Sequence, residues 1–212
     1  MATEQRPGLR YDRRMRVPDD DEIRALHQRH APTPEAFDLV HTHCRIIWDV
    51  AAQLIARSAL DVDADLVRAG CLLHDVGVYR LYDAEGRPDF GQYIRHGVLG
   101  HDLLREEGYP DALCRFCSHH TGVGLTRDDV LAQNLPLPVA DYLAETPEEE
   151  LVMYADKFHS KSTPPVFLTA DTYAARIARF GPSKTESFKR MRQALGTPDL
   201  PPLAATYGYT LT

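Results

Sequence analysis

Residues 70–77 read Gly-Cys-Leu-Leu-His-Asp-Val-Gly, and the interpretation of the whole chain starts from this stretch. It lies at the end of a predicted helix over about residues 63–76, with Gly77 as the expected stop. His74 follows Gly70 by four residues, about one helical turn, so its side chain shares the apolar face of that helix. The stretch therefore predicts a histidine that faces the core, followed directly by an aspartate.

Further histidines and one more aspartate are predicted to face the core from other helices. His43 lies four and seven residues before Ile47 and Val50, and Asp156 follows Val152 by four. A buried carboxylate without a partner is destabilising, so this position implies a cation or a hydrogen-bond network. A single inward-facing histidine is more often an ordinary core residue, but the joint occurrence indicates a functional site. Its candidate members are His43, His74, Asp75, His96, His119, His120 and Asp156.

Apolar residues recur at helical spacing along most of the chain, and no segment alternates convincingly with a period of two. One predicted helix begins after Thr33-Pro34, and another begins at the capping box Thr146–Glu149. Five more are predicted over about 63–76, from His96 to Gly108, from Pro110 to His119, and over 169–180 and 183–195. Residues 79–92 and 121–145 are expected to be loops or irregular chain. The sequence predicts an all-α fold, one domain of about seven or eight helices over residues 21–196. Residues 1–20 are expected to be a polar tail, and residues 197–212 a proline-rich, extended tail.

Composition excludes several classes of protein. The 212 residues are 43% hydrophobic and 26% charged, which is typical of one globular domain. The net charge of -7 disfavours non-specific binding to nucleic acid. No apolar run approaches the roughly 20 residues that span a bilayer, and the N-terminus lacks the apolar core of a secretory signal. We therefore expect a cytoplasmic protein without membrane association, whose oligomeric state the sequence leaves open.

The stretch at residues 70–77 resembles the signature of the HD superfamily of metal-dependent phosphohydrolases: a small residue, Leu-Leu-His-Asp, a hydrophobic residue and Gly. Other segments resemble further motifs of that superfamily in the same order, namely His43-Cys44, Arg95-His96-Gly97, His120-Thr121-Gly122 and Tyr154-Ala155-Asp156-Lys157. The resemblance covers roughly residues 33–180 and is specific as a set. It implies an HD-type helical bundle.

The resemblance also implies a set of metal ligands. His43, His74, Asp75 and Asp156 would hold one metal ion, with His74 and Asp75 as the catalytic pair. In bimetallic members of the superfamily, Asp75 would bridge to a second ion, which His96 and one further histidine would complete.

Two ligand positions have a neighbouring rival. The further histidine could be His119 or His120, and His120 is favoured because a Thr-Gly turn follows it, as in the superfamily pattern. His119 would then lie behind the ligands or be exposed. His41 is a rival to His43, but it lies off the apolar stripe of its helix.

Ligand chemistry indicates which metals to expect. Imidazole and carboxylate groups without thiolates suit octahedral Mn, Fe, Co or Mg better than a closed tetrahedral zinc site. We expect two divalent transition-metal ions per chain, Fe or Mn before Co, Mg or Ni. A bridging carboxylate can hold two ions about 3.5–4 Å apart, and such ions lower the pKa of bound water towards about 7. These properties fit hydrolysis of a phosphoester or phosphoanhydride bond.

Three basic residues lie next to predicted ligands in the sequence. Arg95, Lys157 and Lys161 could each bind a phosphate oxygen that no metal coordinates, although each is also typical of a solvated surface. We expect a small phosphorylated substrate of nucleotide type. The lysine and Gly-Tyr-Pro signatures of cyclic-di-GMP-specific HD-GYP enzymes are missing after Asp75 and His120, so that substrate is not expected.

Three alternatives remain at this point. A mixed-valent diiron oxygenase of the inositol oxygenase type would use the same order of ligands, and a non-catalytic HD domain would bind a nucleotide as a sensor. A structural zinc site could use Cys114 and Cys117 with His119 or His120. Cysteines three residues apart on a helix are more often small core residues, which disfavours the zinc site.

Overall fold

A computed structural model describes residues 15–58 and 60–212 of the chain. In these residues it contains ten α-helices: α1 Asp20–His30, α2 Pro34–Arg57, α3 Ala64–Leu73, α4 His96–Glu106, α5 Asp111–Ser118, α6 Arg127–Ala132, α7 Pro147–Ala155, α8 Ala170–Ile177, α9 Pro182–Leu195 and α10 Leu200–Tyr207. Four 3-10 helices join them, namely Val76–Leu81, Phe90–Arg95, Asp156–Phe158 and Ala178–Phe180. The predicted all-α class is confirmed, with ten α-helices in the described residues where seven or eight were expected.

A small sheet accompanies the helices. Its strands are β1 His159–Ser160, β2 Val166–Phe167 and β3 Thr210–Leu211. β1 pairs with β2 antiparallel, and β2 pairs with β3 parallel. The sheet therefore joins the chain near residue 160 to the C-terminal segment. None of the described helices is both long and apolar enough to cross a membrane.

The core forms around α2 and α3. Thr33 caps α2 by accepting from the backbone N–H of Ala36, and α2 buries a continuous apolar face. α3 packs against α2, α5 and α7. A Cβ atom added at Gly70 would lie 2.5 Å from the ring of Phe116, so glycine allows α3 and α5 to approach closely. This packing holds the end of α3 in the centre of the molecule.

α3 ends three residues earlier than the sequence predicted. Its last residue is Leu73, His74 caps it, and the 3-10 helix Val76–Leu81 follows. Gly77 is required for packing rather than as a helix stop, because an added Cβ would lie 2.0 Å from the carbonyl oxygen of His96 and 2.2 Å from the backbone nitrogen of Gly100. The close approach places the start of α4 directly beside residues 74 and 75.

Two segments that were predicted as tails contain helices. The acidic run at Asp19–Glu22, interpreted as the end of a polar tail, is the capping box and first turn of α1. The predicted extended tail at residues 197–212 is helical over Leu200–Tyr207, because Pro201 and Pro202 lie in the first turn of α10, where a helix tolerates proline, and it is extended only at β3. Both helices contribute to the hydrophobic core, through Ile23 and Leu200 among others. Residues 1–14 of the predicted tail lie outside the described residues.

The predicted loops are mostly irregular. Residues 79–92 contain 3-10 turns and one bridge between Tyr82 and Pro88. Residues 121–145 contain the short helix α6 and one bridge between Leu125 and Tyr142. The position of the domain boundaries remains a prediction.

We expect Gly77→Ala to lower the free energy of unfolding by about 3 kcal/mol, because the new methyl group would overlap the backbone of α4. The measurement is urea unfolding. Gly91→Ala is the matched control, since its added Cβ would meet only the Asp89 side chain, at 3.1 Å, and it should change stability by less than about 0.5 kcal/mol. Equal stability of the two variants would contradict the close packing inferred for Gly77.

Candidate metal centre

Most of the predicted ligands lie where a helix ends. His74 caps α3, His96 caps the 3-10 helix Phe90–Arg95, Asp156 caps α7, and His120 follows α5 by two residues. His43 is the exception, since it lies in the middle of α2. The last carbonyl groups of a helix have no intrahelical partner, so side chains placed there can bond to them.

Three of the histidine rings use these carbonyl groups. In each, Nδ1 lies within hydrogen-bond distance of a carbonyl oxygen three or four residues earlier: His74 to Cys71 at 2.7 Å, His96 to Tyr93 at 2.6 Å and His120 to Phe116 at 3.0 Å. A ring that donates its Nδ1–H to a carbonyl keeps the Nε2 lone pair free. The helix ends therefore orient three Nε2 atoms towards one point, which is the arrangement that metal-binding histidines adopt.

Asp75 lies between two groups of histidines. Its Oδ2 is 3.2 Å from Nε2 of His43 and 3.7 Å from Nε2 of His74. Its Oδ1 is 3.4 Å from Nε2 of His96 and 3.8 Å from Nε2 of His120. One carboxylate thus faces both groups, each with a different oxygen atom.

Asp156 completes the first group. Its Oδ1 lies 3.0 Å from Nε2 of His43 and 3.5 Å from Nε2 of His74, and the two Nε2 atoms are 3.2 Å apart. In the second group, Nε2 of His96 and of His120 are 2.9 Å apart. The two groups offer four and three ligand atoms respectively when Asp75 is counted in both. Among these side chains, His43 with His74 and Asp156, and His74 with Asp75 and His120, lie close enough to share a metal ion.

The environment of Asp75 tests whether a cation fits. The side chain is only 1% exposed, and its Oδ2 forms an ion pair with the Lys161 ammonium. Its Oδ1 is buried without a hydrogen-bond partner, and such an atom is destabilising unless a donor or a cation satisfies it. The residues around Oδ1 offer neutral nitrogen atoms, so a metal ion between Oδ1, His96 and His120 would fit the site.

The pKa values of the site follow from burial and from the neighbouring charges. Burial alone would raise the pKa of Asp75, but Lys161 and the surrounding histidines hold that pKa well below its usual value. Burial lowers the pKa of His43 to about 4 and the pKa of His120 well below its usual value. At His74 burial acts in the same direction, but Asp75, Cys44 and Asp156 together outweigh it and raise the pKa. The charged Asp75 carboxylate and the neutral imidazoles suit a divalent cation, and a cation that binds His74 would displace a proton from its ring.

The two rival histidines lie outside the cluster. Nδ1 of His119 lies 2.6 Å from Oγ of Ser118, and the ring faces Tyr142 instead of Asp75. His41 stacks on Phe37 at the other side of α2. The structure therefore brings His43 and His120 into the cluster and leaves both neighbours out.

The three basic candidates have different positions. Nζ of Lys157 donates to Oδ2 of Asp156 at 2.7 Å and to the carbonyl of His120 at 3.0 Å. Lys161 contacts Asp75 directly. Both lysines line a cavity beside the cluster, but Arg95, at the start of α4, does not. Lys157 and Lys161 thus lie beside the cluster, whereas Arg95 lines neither of these two cavities, and its contact with phosphate stays a prediction.

Sequence reasoning missed two residues of this centre. His159 is buried, and its Nδ1 lies 2.8 Å from Nδ1 of His43. Tyr93 stacks on the ring of His96, with ring centroids 4.5 Å apart. Each is three residues from a predicted ligand, Asp156 and His96 respectively, and this proximity was the signal that could have found them.

The cysteines do not form a metal site with the histidines. Sγ of Cys114 contacts the carbonyl of Tyr109, and Sγ of Cys117 contacts the carbonyl of Leu73. Within residues 15–58 and 60–212, the groups of side chains close enough to share a metal ion contain histidine and aspartate only. The proposed zinc ligands are therefore not brought together.

Two connected cavities open at the cluster. The smaller, of about 210 Å³, contacts Asp75, His96 and His120 directly. The larger, of about 710 Å³, extends outwards from Asp156 and Lys157. They share the lining residues Tyr93, Thr121, Gly122, Asp156 and Lys161. A ligand in the larger cavity can thus reach the cluster.

Part of this chain is similar in sequence to known proteins. The family model of the HD domain matches residues 40–161. A tRNA (cytidine(56)-2'-O)-methyltransferase of Picrophilus torridus is 32% identical over 144 residues, which is 68% of this chain and 37% of that protein. An uncharacterised protein of Methanocaldococcus jannaschii is 37% identical over 117 residues, 54% of this chain and 62% of that protein. The chain thus matches about a third to three fifths of the length of these relatives.

A solved structure shares the fold. The HD domain of the L. monocytogenes phosphodiesterase PgpH superposes with a TM-score of 0.51 at 15% identity, covering 87% of this chain and 98% of that one. The same domain in complex with cyclic-di-AMP gives a TM-score of 0.50 at 16% identity, with 88% and 97% covered. At this level of identity, the similarity concerns the fold.

We expect His159→Ala to weaken Mn²⁺ binding about 10- to 100-fold. A metal ion on Nε2 of His43 requires the proton to be on Nδ1, and Nδ1 of His159 accepts the hydrogen bond that this N–H donates. Isothermal titration calorimetry of protein stripped of metal measures the change. His159→Asn, which retains an acceptor, should restore most of the affinity.

The matched control is His119→Ala, which removes a histidine that lies next to His120 but faces away from the cluster. It should leave Mn²⁺ affinity within about twofold. If both alanine variants bind Mn²⁺ as tightly as the wild type, His159 does not position His43.

Proposed function

Because this chain belongs to the HD-domain family, we propose that it is a metal-dependent phosphohydrolase that cleaves a phosphoester or phosphoanhydride bond of a nucleotide-type substrate. The observation that carries the proposal is the position of Asp75, whose two carboxylate oxygens face two separate groups of ligand atoms. A carboxylate shared in this way is the device by which two-metal hydrolases hold their ions about 3.5–4 Å apart.

The proposed ligands divide between two ions. His43, His74, Asp156 and Oδ2 of Asp75 would hold the first. His96, His120 and Oδ1 of Asp75 would hold the second, which leaves positions for solvent and substrate. Fe and Mn fit this donor set best, and Co, Mg or Ni also accept it. When bound, the two ions would supply an activated water and neutralise the phosphate oxygens.

The protein's own side chains orient the groups that react. His74 and Asp75 fix the position of the attacking water relative to phosphorus, and the carbonyl bond at Nδ1 prevents His74 from turning. Lys161 lines both cavities and Lys157 lines the larger one, so both ammonium groups can donate hydrogen bonds to the phosphate. The water oxygen bonds to phosphorus, the bond to the leaving oxygen breaks, and the water proton passes to that oxygen. No side chain of the protein needs to act as nucleophile.

A nucleotide-type substrate is supported by the larger cavity. Its volume of about 710 Å³ is in the range of small-molecule sites, and aromatic rings contribute to its wall. The cyclic dinucleotide bound to the HD domain of PgpH is consistent with a ligand of this class. The methyl-transfer activity named for the relative from Picrophilus torridus is not part of the proposal, because the match covers only 37% of that protein.

The first test is metal content combined with turnover. Protein purified without added metal should contain about two transition-metal ions per chain and should hydrolyse p-nitrophenyl phosphate. Asp75→Asn should lose both ions and at least about a thousandfold in turnover, because several kcal/mol of transition-state stabilisation comes from the ions. Elemental analysis and a phosphatase assay give the two readouts.

The control variant is Asp111→Asn, an exposed aspartate beside His101, which should change neither quantity. Iron with oxygen uptake and no phosphatase activity would favour the diiron oxygenase instead. Binding of AMP without turnover in the metal-loaded wild type would favour the nucleotide sensor. Unchanged metal content in Asp75→Asn would contradict the site itself.

His96→Ala should reduce the metal content from about two ions to about one, because His96 would be a ligand of the second ion alone. We expect turnover to fall at least about a hundredfold. His101→Ala, on the same helix but facing Ser118, is the matched control and should retain both ions. Unchanged circular dichroism spectra would show that both variants are folded. Loss of both ions in His96→Ala would contradict the separate assignment of the two sites.

A further inference from the structure

Two arginines line the larger cavity away from the proposed metal ligands. Arg176 lies near the end of α8, and Arg179 lies in the 3-10 helix Ala178–Phe180 that continues it. Residues three apart on a helical segment lie on the same side, so both guanidinium groups can reach one ligand. The HD-domain model ends at residue 161, and these arginines therefore lie outside the part of the chain that the family shares.

The charges around the two cavities do not balance. Lys157 is paired with Asp156, and Lys161 with Asp75. No other carboxylate lines either cavity. Among the ion pairs that join described residues, none includes Arg176 or Arg179. Among the described residues, two positive charges are therefore left without an anion, although the chain has a net charge of -7.

The lining of the same cavity also includes aromatic rings. Phe90 and Phe180 line it although they are 54% and 46% exposed, and the guanidinium of Arg179 lies 4.7 Å from the ring centroid of Phe180. Tyr93 and Tyr173 belong to the same lining. Exposed rings beside cations can stack on a base and leave the guanidinium groups free for an anion.

We propose that Arg176 and Arg179 bind a second phosphoryl group of the nucleotide substrate, separate from the group that lies at the metal centre. This inference rests on the proposed function, since it assumes that one phosphoryl group is held by the metal ions. A guanidinium group matches two phosphate oxygens with parallel hydrogen bonds, which a single exposed lysine cannot do. A nucleoside diphosphate or a longer polyphosphate therefore fits the cavity better than a nucleoside monophosphate.

The test compares the binding of AMP and of α,β-methylene-ADP to the Mn²⁺-loaded protein by isothermal titration calorimetry. Chromatography after each titration checks that the nucleotide is intact. In the wild type, α,β-methylene-ADP should bind at least about tenfold more tightly than AMP. In the double variant Arg176→Gln with Arg179→Gln, this preference should disappear while the Kd for AMP stays within about twofold.

Arg190→Gln is the matched control, because Arg190 is an exposed arginine on α9 that contacts only the hydroxyl of Ser187. It should leave both Kd values unchanged, which excludes a general effect of net charge. Equal affinity of the wild type for the two nucleotides would overturn the inference. Equal weakening of both nucleotides in the double variant would overturn it as well.

Turnover of p-nitrophenyl phosphate separates this inference from the proposed function. Wild type and double variant should hydrolyse this single-phosphate substrate with similar KM values. If turnover is present but α,β-methylene-ADP is not preferred, the inference fails and the proposed function stands. If the preference is present and no phosphate ester is hydrolysed, the proposed function fails and the arginine site stands as a binding site.

Discussion

The buried carboxylate of Asp75 is the group around which the rest of the structure is arranged. A carboxylate that is removed from water needs compensation, and here it comes from the Lys161 ammonium and from imidazoles on both sides. Three of those imidazoles reach it because α3, α5 and the 3-10 helix Phe90–Arg95 all end beside it, and His43 reaches it from the middle of α2. Gly77 is part of the same constraint, since a larger residue would hold α4 away. The lengths of the helices and the geometry of the candidate site are therefore linked.

The parts of the site that could be predicted are those that depend on local helix geometry. His43, His74 and Asp156 were identified by their distance along the chain from apolar residues, and helical periodicity determines which face such residues share. The choice between His119 and His120 depended on the Thr-Gly turn that follows. That choice agrees with the structure: α5 ends at Ser118, and beyond it His120 faces Asp75 while His119 faces Tyr142.

The parts that were missed depend on contacts between distant segments. His159 belongs to β1, and its position beside His43 depends on packing that no local pattern encodes. In the sequence Arg95 was as suitable as Lys161, and only the three-dimensional structure shows that Lys161 contacts Asp75 while Arg95 lines neither cavity. α10 was missed for a different reason, because its prolines are compatible with both an extended tail and the first turn of a helix.

Binding of an anion to a chain of net charge -7 is explained by where the charges lie. At physiological ionic strength, charges on exposed surfaces are screened beyond about 8 Å, so a ligand in the larger cavity experiences mainly the groups that line it. Those groups include two lysines that neutralise the two aspartates and two arginines that do not. The metal centre would attract any phosphate ester without distinguishing among them, because it contacts only the scissile group. Discrimination among nucleotides must therefore come from the cavity wall, and α8 and the 3-10 helix after it supply the cationic part of that wall.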